Sequence, residues 1–569
     1  MAPSISSKST NKVGQAPTAM VPTMSVPTLH VPTLPPIAPT PSPTVAADFE
    51  WNIARDGYDI VTSAIDEKFT YLFLEDYDAI IEPYANNTLV ITSSFNETLT
   101  YYRYSFCAVE NPNPHSCVYG VYAPTGSPEA SSPVAVPCSA YDEYTIFVTE
   151  YSIETDEVTS YSEGTGVCIY VRREIHSLTD ADRDATMDAM YALWVYDQEE
   201  GIELYGNNFI NAEVLLKFHH FNSAWQDADH IHEGQAFLPQ HIKMTNVFEK
   251  SMQSVDPSVC LPYWDFTIEY ANGTALYDSS LFTEEWFGSM PNCTDYWWGF
   301  TYENDSPEWA AIPDGRWAYI EAPWNNDYDD LLAGYGYMRA PWSMNPSPYV
   351  SRFTSDWKIG TTLPSCASHY KILEYTSLSD FLMETGDDPH SSAHSLVGGL
   401  YGCDLFRPLM FAGFIQGHTD LMTICGKWSF IMKEMYRNNY VAPYDNCTIN
   451  EDDYVSSECG FECTDNSGVA TLLKALIESS TGVLTETGWT AWSNFLCTGD
   501  GWMVFPGDHL ESASPSDPSF WPMHPTLERL LQAKFMSGGF ENNTWHSDSE
   551  TQNVCHHACL LYTSPSPRD

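Results

Sequence analysis

The chain has 569 residues and sets 24 Lys and Arg against 76 Asp and Glu, a formal charge of −52. With so little basic charge to neutralise phosphates, nucleic acid and anionic membrane surfaces are excluded as partners. Hydrophobic residues at 43% and aromatics at 14% exclude disorder over most of the chain, and the length gives room for at least two domains. The most apolar region, Leu405 to Met432, is broken by Arg407, His418, Asp420 and Lys427, so no membrane span is expected and the protein reads as soluble.

Residues 1–45 form a Pro/Thr/Ser-rich tract with VPT repeated at Val21, Val26 and Val31, the composition of a linker or stalk. From 46 to 170 short β-prone runs alternate with Pro, Gly and Asn turns. They predict a small antiparallel, sandwich-like β domain in which Cys107, Cys117, Cys138 and Cys168 can pair. The character changes at Val171. Thr179 is a helix N-cap, and Met187, Met190, Tyr191 and Trp194 share one face of the helix that follows. A second helix is expected over about 208–223, and a third from near Pro239 to just before Asp256-Pro257. Residues 271–368 read as a long loop crowded with Trp and Tyr. A short helix is expected to begin at Asp388-Pro389 and to stop at Gly398-Gly399. Six cysteines between Cys403 and Cys497 suggest a disulfide-braced insertion, and a last helix covers about 525–534. The fold class is therefore α+β and multidomain, with the dominant domain spanning 171–545.

Residues 559–569 resemble a translated sequencing adapter and are set aside. An even 14 of the 15 cysteines remain, with sequons at Asn86, Asn96, Asn272, Asn292, Asn446 and Asn542 and a weaker one at Asn304. Both features suggest a secreted or secretory-lumen glycoprotein, although Met1–Thr44 holds no apolar run typical of a signal peptide.

The histidines carry the chemistry. His232 and His241 lie at a loop end and in the first turns of a helix. His390 and His394 stand four apart, on one helical face, and His524 lies in DPSFWPMHPTLERL. A metal needs several neutral imidazoles converging from different elements, which helices around a common core can supply. Of the adjacent His219 and His220, one can face such a core. His219 shares a face with Ala212, Leu215 and Leu216, whereas His220 stacks with Glu213 and Lys217, so His219 is the choice. Asp229 and His230 could orient His232, or form a solvated acidic loop. His176, His369, His418 and His509 fit no ligand spacing.

These residues resemble those of the type 3 dicopper proteins: tyrosinases, catechol oxidases and the functional units of molluscan haemocyanins. The first-site pattern of that family is matched by His232, Phe237, His241 and Glu249, followed by LPYWD at Leu261–Asp265. The second-site pattern D-P-x-F-W-x-x-H is matched by Asp517, Pro518, Phe520, Trp521 and His524, with Glu528-Arg529 in place of the usual Asp-Arg. The resemblance implies a mainly helical domain built on a four-helix bundle with long loops. It also implies two copper ions held by His219, His232, His241, His390, His394 and His524, with dioxygen as co-substrate and a small phenol as substrate. No side chain beyond the copper ligands need be catalytic.

The departures from the pattern bear on which reaction is expected. Tyrosinases often carry Asn after the first histidine of the H-x-x-x-H pair, where this chain has Ser391; Ser395 follows the second, and Met523 precedes His524. These three are expected to line the substrate pocket; Glu384 or Asp387 could partner a water that deprotonates phenols, with solvated helix-start carboxylates as the favoured reading. Pro522 and Pro525 bracket His524 and should make it cap its helix instead of lying within it. The expected function is a polyphenol oxidase acting on catechols, with monophenol hydroxylation weak or absent. The alternatives are a haemocyanin-like dioxygen binder and a degenerate copper domain kept as a structural module.

Overall fold

The computed structural model describes residues 49–545 apart from 62–63, 67–68, 71–73, 94–99, 111–116, 124–129, 227–228, 233, 292–309, 325–335, 354–361, 444–459, 482–485, 498–500 and 511. The expected stalk, the adapter-like end, four of the sequons (Asn96, Asn292, Asn304 and Asn446), Cys447 and Cys459 lie outside the described residues. Helices and sheets are mixed along the chain, with the sheets concentrated before Val171 and the helices after it.

The strand-rich region contains a three-stranded sheet and a five-stranded sheet. In the larger one, Val158–Cys168 pairs antiparallel with Glu143–Ser152, which pairs with Thr100–Ala108, which pairs with Val118–Tyr122. Alternate residues Tyr102, Tyr104 and Phe106 point into a core with Ile146 and Val148, as the two-residue period of a strand requires. The sheet is not wholly antiparallel. Ala79–Ile81 adds in parallel to the end of Val158–Cys168, closing an edge that would otherwise stay unpaired. Disulfides join Cys107 to Cys117 and Cys138 to Cys168, within the region as expected. Charged residues tie these strands to the helical part. Glu82 accepts from Arg173, and Arg55 bonds both Asp182 and the Ser258 carbonyl.

Thr179 caps the helix Asp180–Val195 by accepting from the Asp182 N–H. Met187 and Met190 are buried, but Tyr191 turns outward and meets Trp317 edge-on. The next helix, Gln198–Tyr205, was not foreseen; its apolar content is too low to show a stripe, and Asp197 caps it. Asn211 then caps Ala212–Ser223, which buries Ala212, Leu215, Leu216 and His219. Phe237–Val255 buries Leu238, His241, Met244, Thr245, Phe248 and Met252, an i, i+3, i+4, i+7 stripe.

Two helix boundaries differ from expectation, both around proline. Helix Leu378–Thr385 runs on through a π-helical stretch, Gly386–Ser391, into Ser392–Gly398, so Pro389 lies inside a continuous helical path. The wider π turn accommodates a residue that lacks an N–H, and such bulges gather at functional sites. At the far end, Gly399 has φ of 67°, and a Cβ there would lie 1.6 Å from the Phe353 carbonyl oxygen. Only glycine fits, so the helix stops where expected. His524 lies within Phe520–Met536 and does not cap it. Pro522 falls in the first turn, where its missing N–H has no partner to lose. Tertiary bonds then fix the turn around Pro525: the Trp264 N–H donates to the Pro522 carbonyl, and Thr526 Oγ1 donates to the Trp264 carbonyl.

The described parts of the long aromatic loop are not peripheral. Trp286 and Trp317 enter the core beneath the histidine-bearing helices, and Trp342 joins the cluster of the cysteine-rich segment. That segment packs helices His418–Arg437, Asn466–Thr481 and Glu486–Cys497 around Trp428 and Trp492, with disulfides Cys403–Cys425 and Cys463–Cys497. Among the described residues, no helix is long and apolar enough to cross a membrane.

His176 has a structural role. Its ring lies between Glu174 (2.9 Å) and Glu269 (3.2 Å). Burial alone would lower its pKa, but the two carboxylates outweigh burial and raise it to about 9. A raised folded pKa gives stability that is complete below the unfolded value near 6.5 and is lost as pH climbs through 9. His176→Gln is expected to remove on the order of 2 kcal/mol at pH 6 and much less at pH 9.5, read from urea midpoints.

Candidate metal centre

Six histidines from five separate stretches converge. His219 comes from Ala212–Ser223, His232 from the following loop and His241 from Phe237–Val255. His390 and His394 come from the π and α turns, and His524 from the last helix. Five of the rings are buried at 6% exposure or less. The His232 side chain, at 25%, is the one that solvent reaches.

Every Nδ1 faces an oxygen that can only accept. His219 Nδ1 donates to the Ser512 carbonyl (2.6 Å), His241 to Phe237 (2.8 Å), His390 to Gly386 (3.0 Å), His394 to His509 (2.5 Å) and His524 to Phe520 (2.9 Å). His232 Nδ1 faces the Asp229 carboxylate at 3.1 Å. The protons are therefore fixed on Nδ1, and each Nε2 carries a lone pair. Those lone pairs point at one another. The Nε2 separations are 3.1 Å for His219–His232, 2.8 Å for His390–His394 and 3.3 Å for His390–His524. Two bare lone pairs at such distances cannot hydrogen-bond and repel, which is what a cation between them would relieve. His241 Nε2 is buried without a hydrogen-bond partner. The donor atoms of His219, His232 and His241 lie within 4.8 Å of one another, as do those of His241, His390 and His524. His241 belongs to both groups, and His394 joins through His390. Neutral imidazoles with outward protons are a donor set suited to copper.

Electrostatics agree with this protonation. Burial, reinforced by neighbouring rings, holds His219, His390, His394 and His524 well below the ordinary imidazole range, and His241 at about 3. Phe520 lies 4.0 Å from the His524 ring and 5.5 Å from that of His219, while Phe237 packs 4.5 Å from His390 and 4.6 Å from His241. These apolar neighbours keep the rings from turning.

The residues expected at the pocket fall differently. Ser391 is exposed and donates to the Gly386 and Asp387 carbonyls, and Ser395 donates to the Ser391 carbonyl. Met523 is fully buried in the core with Ala393 and Trp521, and so does not line an open pocket. A helix turns about 100° per residue, so directing His524 to the centre turns Met523 away. His220 is buried too, bonded to Ser512 Oγ at 3.0 Å, outside the group of converging Nε2 atoms. Asp229 is not a solvated loop carboxylate. It is 1% exposed and bonds His232, whereas His230 accepts through its carbonyl from Gln240.

The motif residues that are not histidines turn out to be braces. Arg172 binds Glu249 through Nε (2.6 Å) and Glu528 through Nη1 (2.6 Å), linking the helices that carry His241 and His524. Phe248 stacks on Trp521 between the same two helices at 3.7 Å. Asp517 takes both arms of Arg352, and Asp508 both arms of Arg339. Neither arginine was picked out from the sequence, because the long loop that carries them shows no periodicity. His509 was also passed over, yet its carbonyl orients His394. Arg172→Met is expected to lower unfolding free energy by about 2–3 kcal/mol, since it leaves two part-buried carboxylates facing each other. Chemical denaturation of the metal-free protein checks this.

Residues 211–446 match the family description "Common central domain of tyrosinase". This stretch is a central domain of the tyrosinase family. A tyrosinase of Streptomyces lincolnensis is 41% identical over 123 residues, 20% of this chain and 43% of that protein. A tyrosinase of Streptomyces antibioticus is 29% identical over 124 residues, again 20% of this chain and 43% of that protein. The grixazone synthase of Streptomyces griseus is 26% identical over 110 residues, 19% of this chain and 30% of that protein. The matched stretches thus span less than half of each relative. The match implies copper binding, and the two groups of histidines could hold a metal.

Proposed function

We propose that the chain is a copper-dependent polyphenol oxidase that converts catechols to o-quinones while reducing dioxygen to water. The observation that carries this reading is the arrangement of six Nδ1 protons tied outward and six Nε2 lone pairs turned inward. In this reading His219, His232 and His241 hold one copper, and His390, His394 and His524 hold the other. Residues 171–545 form the dicopper domain on a four-helix bundle, and 46–170 form a separate sandwich-like domain.

Bound copper supplies the redox chemistry: two catechols each give up two electrons and two protons, and one dioxygen takes them up to leave two waters. The protein supplies positioning. The outward hydrogen bonds fix tautomer and ring angle, so each lone pair is aimed before metal arrives. Phe237 and Phe520 keep the centre dry, which strengthens electrostatic interactions within it. Substrate enters past His232, the exposed member, beside Ser391 and Ser395. The Ser391 hydroxyl is committed to backbone carbonyls, so it does not hold a water that would take a phenol proton. Diphenols need no such base, so they are the favoured substrates.

Four disulfides among the described residues and exposed sequons at Asn86, Asn272 and Asn542 support a secreted glycoprotein. Oxygen uptake by the copper-loaded protein tests the reaction. Catechol should be consumed and tyramine scarcely at all. Equal turnover of tyramine would overturn the role given to Ser391. Reversible oxygen binding without turnover of either phenol would replace the oxidase with a carrier.

A further inference from the structure

The helix His418–Arg437 belongs to the cysteine-rich segment, yet its last turns reach the histidine centre. Lys433 Nζ lies 3.1 Å from Asp229 Oδ2, and Arg437 Nη2 lies 3.6 Å from the same oxygen. Asp229 in turn faces His232 Nδ1 and accepts from the backbone N–H groups of Ile231 and His232 at 3.1 and 2.9 Å. The contact is part of a wider clamp. Arg437 donates to the Ser223 carbonyl at 3.1 Å, and Gln226 donates to the Tyr436 carbonyl at 3.0 Å and to Asn439 Oδ1 at 2.9 Å. Ser223, Gln226 and Asp229 therefore all lean on one helix end.

His232 differs from the other five histidines in three ways. It stands on a loop outside any helix, it is part-exposed, and its Nδ1 partner is a side chain instead of a backbone carbonyl. A backbone carbonyl within a packed fold is already fixed. A carboxylate must itself be held, and an isolated buried carboxylate is expensive. Lys433 and Arg437 supply the compensating charge, and the disulfide Cys403–Cys425 anchors their helix.

We propose that Lys433 is a positioning residue for the first copper, acting through Asp229 to hold His232. The cysteine-rich segment is then a working part of that half-site. This rests on the dicopper reading. No comparable link from this helix to His390, His394 or His524 is seen among the described residues, so the second copper should be indifferent to Lys433.

The test uses the full chain loaded with copper and challenged with increasing chelator, with retained copper measured by elemental analysis. Lys433→Met should release one of two coppers at a chelator concentration about 10-fold or more below that needed by the unmodified protein, the usual scale for partners of metal ligands. The second copper should be retained as before. Lys433→Arg, which keeps the charge, should recover most of the loss, and the metal-free Lys433→Met protein should melt somewhat lower but still fold, since Arg437 stays beside Asp229. Retention of both coppers at the unmodified affinity, or loss of both together, would overturn the proposal. If the unmodified protein itself never holds two coppers, the dicopper reading fails instead, a result this titration separates from the first.

Discussion

Replacing His390 by Ala is expected to abolish catechol-driven oxygen uptake, by about 10³-fold or more, which corresponds to roughly 4 kcal/mol of transition-state stabilisation. His390 Nε2 lies 2.8 Å from that of His394 and 3.3 Å from that of His524, so it is the shared neighbour of the second group. Its ring is also 6.0 Å from that of His241 in the first group. His509, whose carbonyl holds His394, packs its ring 4.7 Å from that of His394 with neither ring nitrogen hydrogen-bonded, but it belongs to neither group of converging donor atoms. Oxygen electrode traces with catechol measure the loss. Because the ring is buried among others, truncation also leaves a cavity, so folding is checked separately by melting the metal-free variant. A variant that folds and still turns over catechol at a tenth of the normal rate would contradict the site.

The second large effect concerns Arg352 and Asp517. Both side chains are 0% exposed and meet through two bonds of 2.7 and 2.8 Å. Arg352 also donates to the Phe287 carbonyl at 3.0 Å, and Asp517 accepts from the Ser519 N–H and hydroxyl. Asp517 is thus the hinge between the long aromatic loop and the helix that presents His524. Burial would push its carboxyl upward, but the guanidinium holds it well below the usual range. Arg352→Met strands a buried charge and is expected to lower unfolding free energy by about 3–5 kcal/mol. The double variant Arg352→Met with Asp517→Leu should recover a good part of that loss, because no charge is then left unpaired. Urea denaturation of the two proteins distinguishes a true buried pair from a pair that solvent screens; in the screened case both would differ from the parent by less than about 1 kcal/mol.

The convergence of the histidines was legible because they sit in short motifs whose spacing matches helix geometry; facing favoured His219 over His220, and His219 is the one in a converging group, although both rings are buried. What supports them was not legible. The Nδ1 partners are mostly backbone carbonyls, which carry no residue signature, and Ser512 and His509 come from nearly 300 and 115 residues away in sequence. Arg339, Arg352, Lys433 and Arg437 lie in stretches where neither period nor composition sets them apart. The prolines misled in a consistent way. Local preference placed a helix start at Pro389 and a cap at His524, but a π turn and bonds from Trp264 and Thr526 carry the helices through. Met523 was read as pocket-lining from its neighbourhood in the chain, and the helical turn that aims His524 inward sends it into the core. The β-rich region was recognised, but its parallel edge pair depends on a contact between Ala79–Ile81 and Val158–Cys168 that no local pattern announces.

Copper stoichiometry tests the central claim most directly. The full chain, loaded with excess copper and passed through a desalting column at neutral pH, should carry two copper atoms per chain by elemental analysis. One atom or fewer, in protein whose folding is verified, would contradict a centre built from two groups of converging imidazoles.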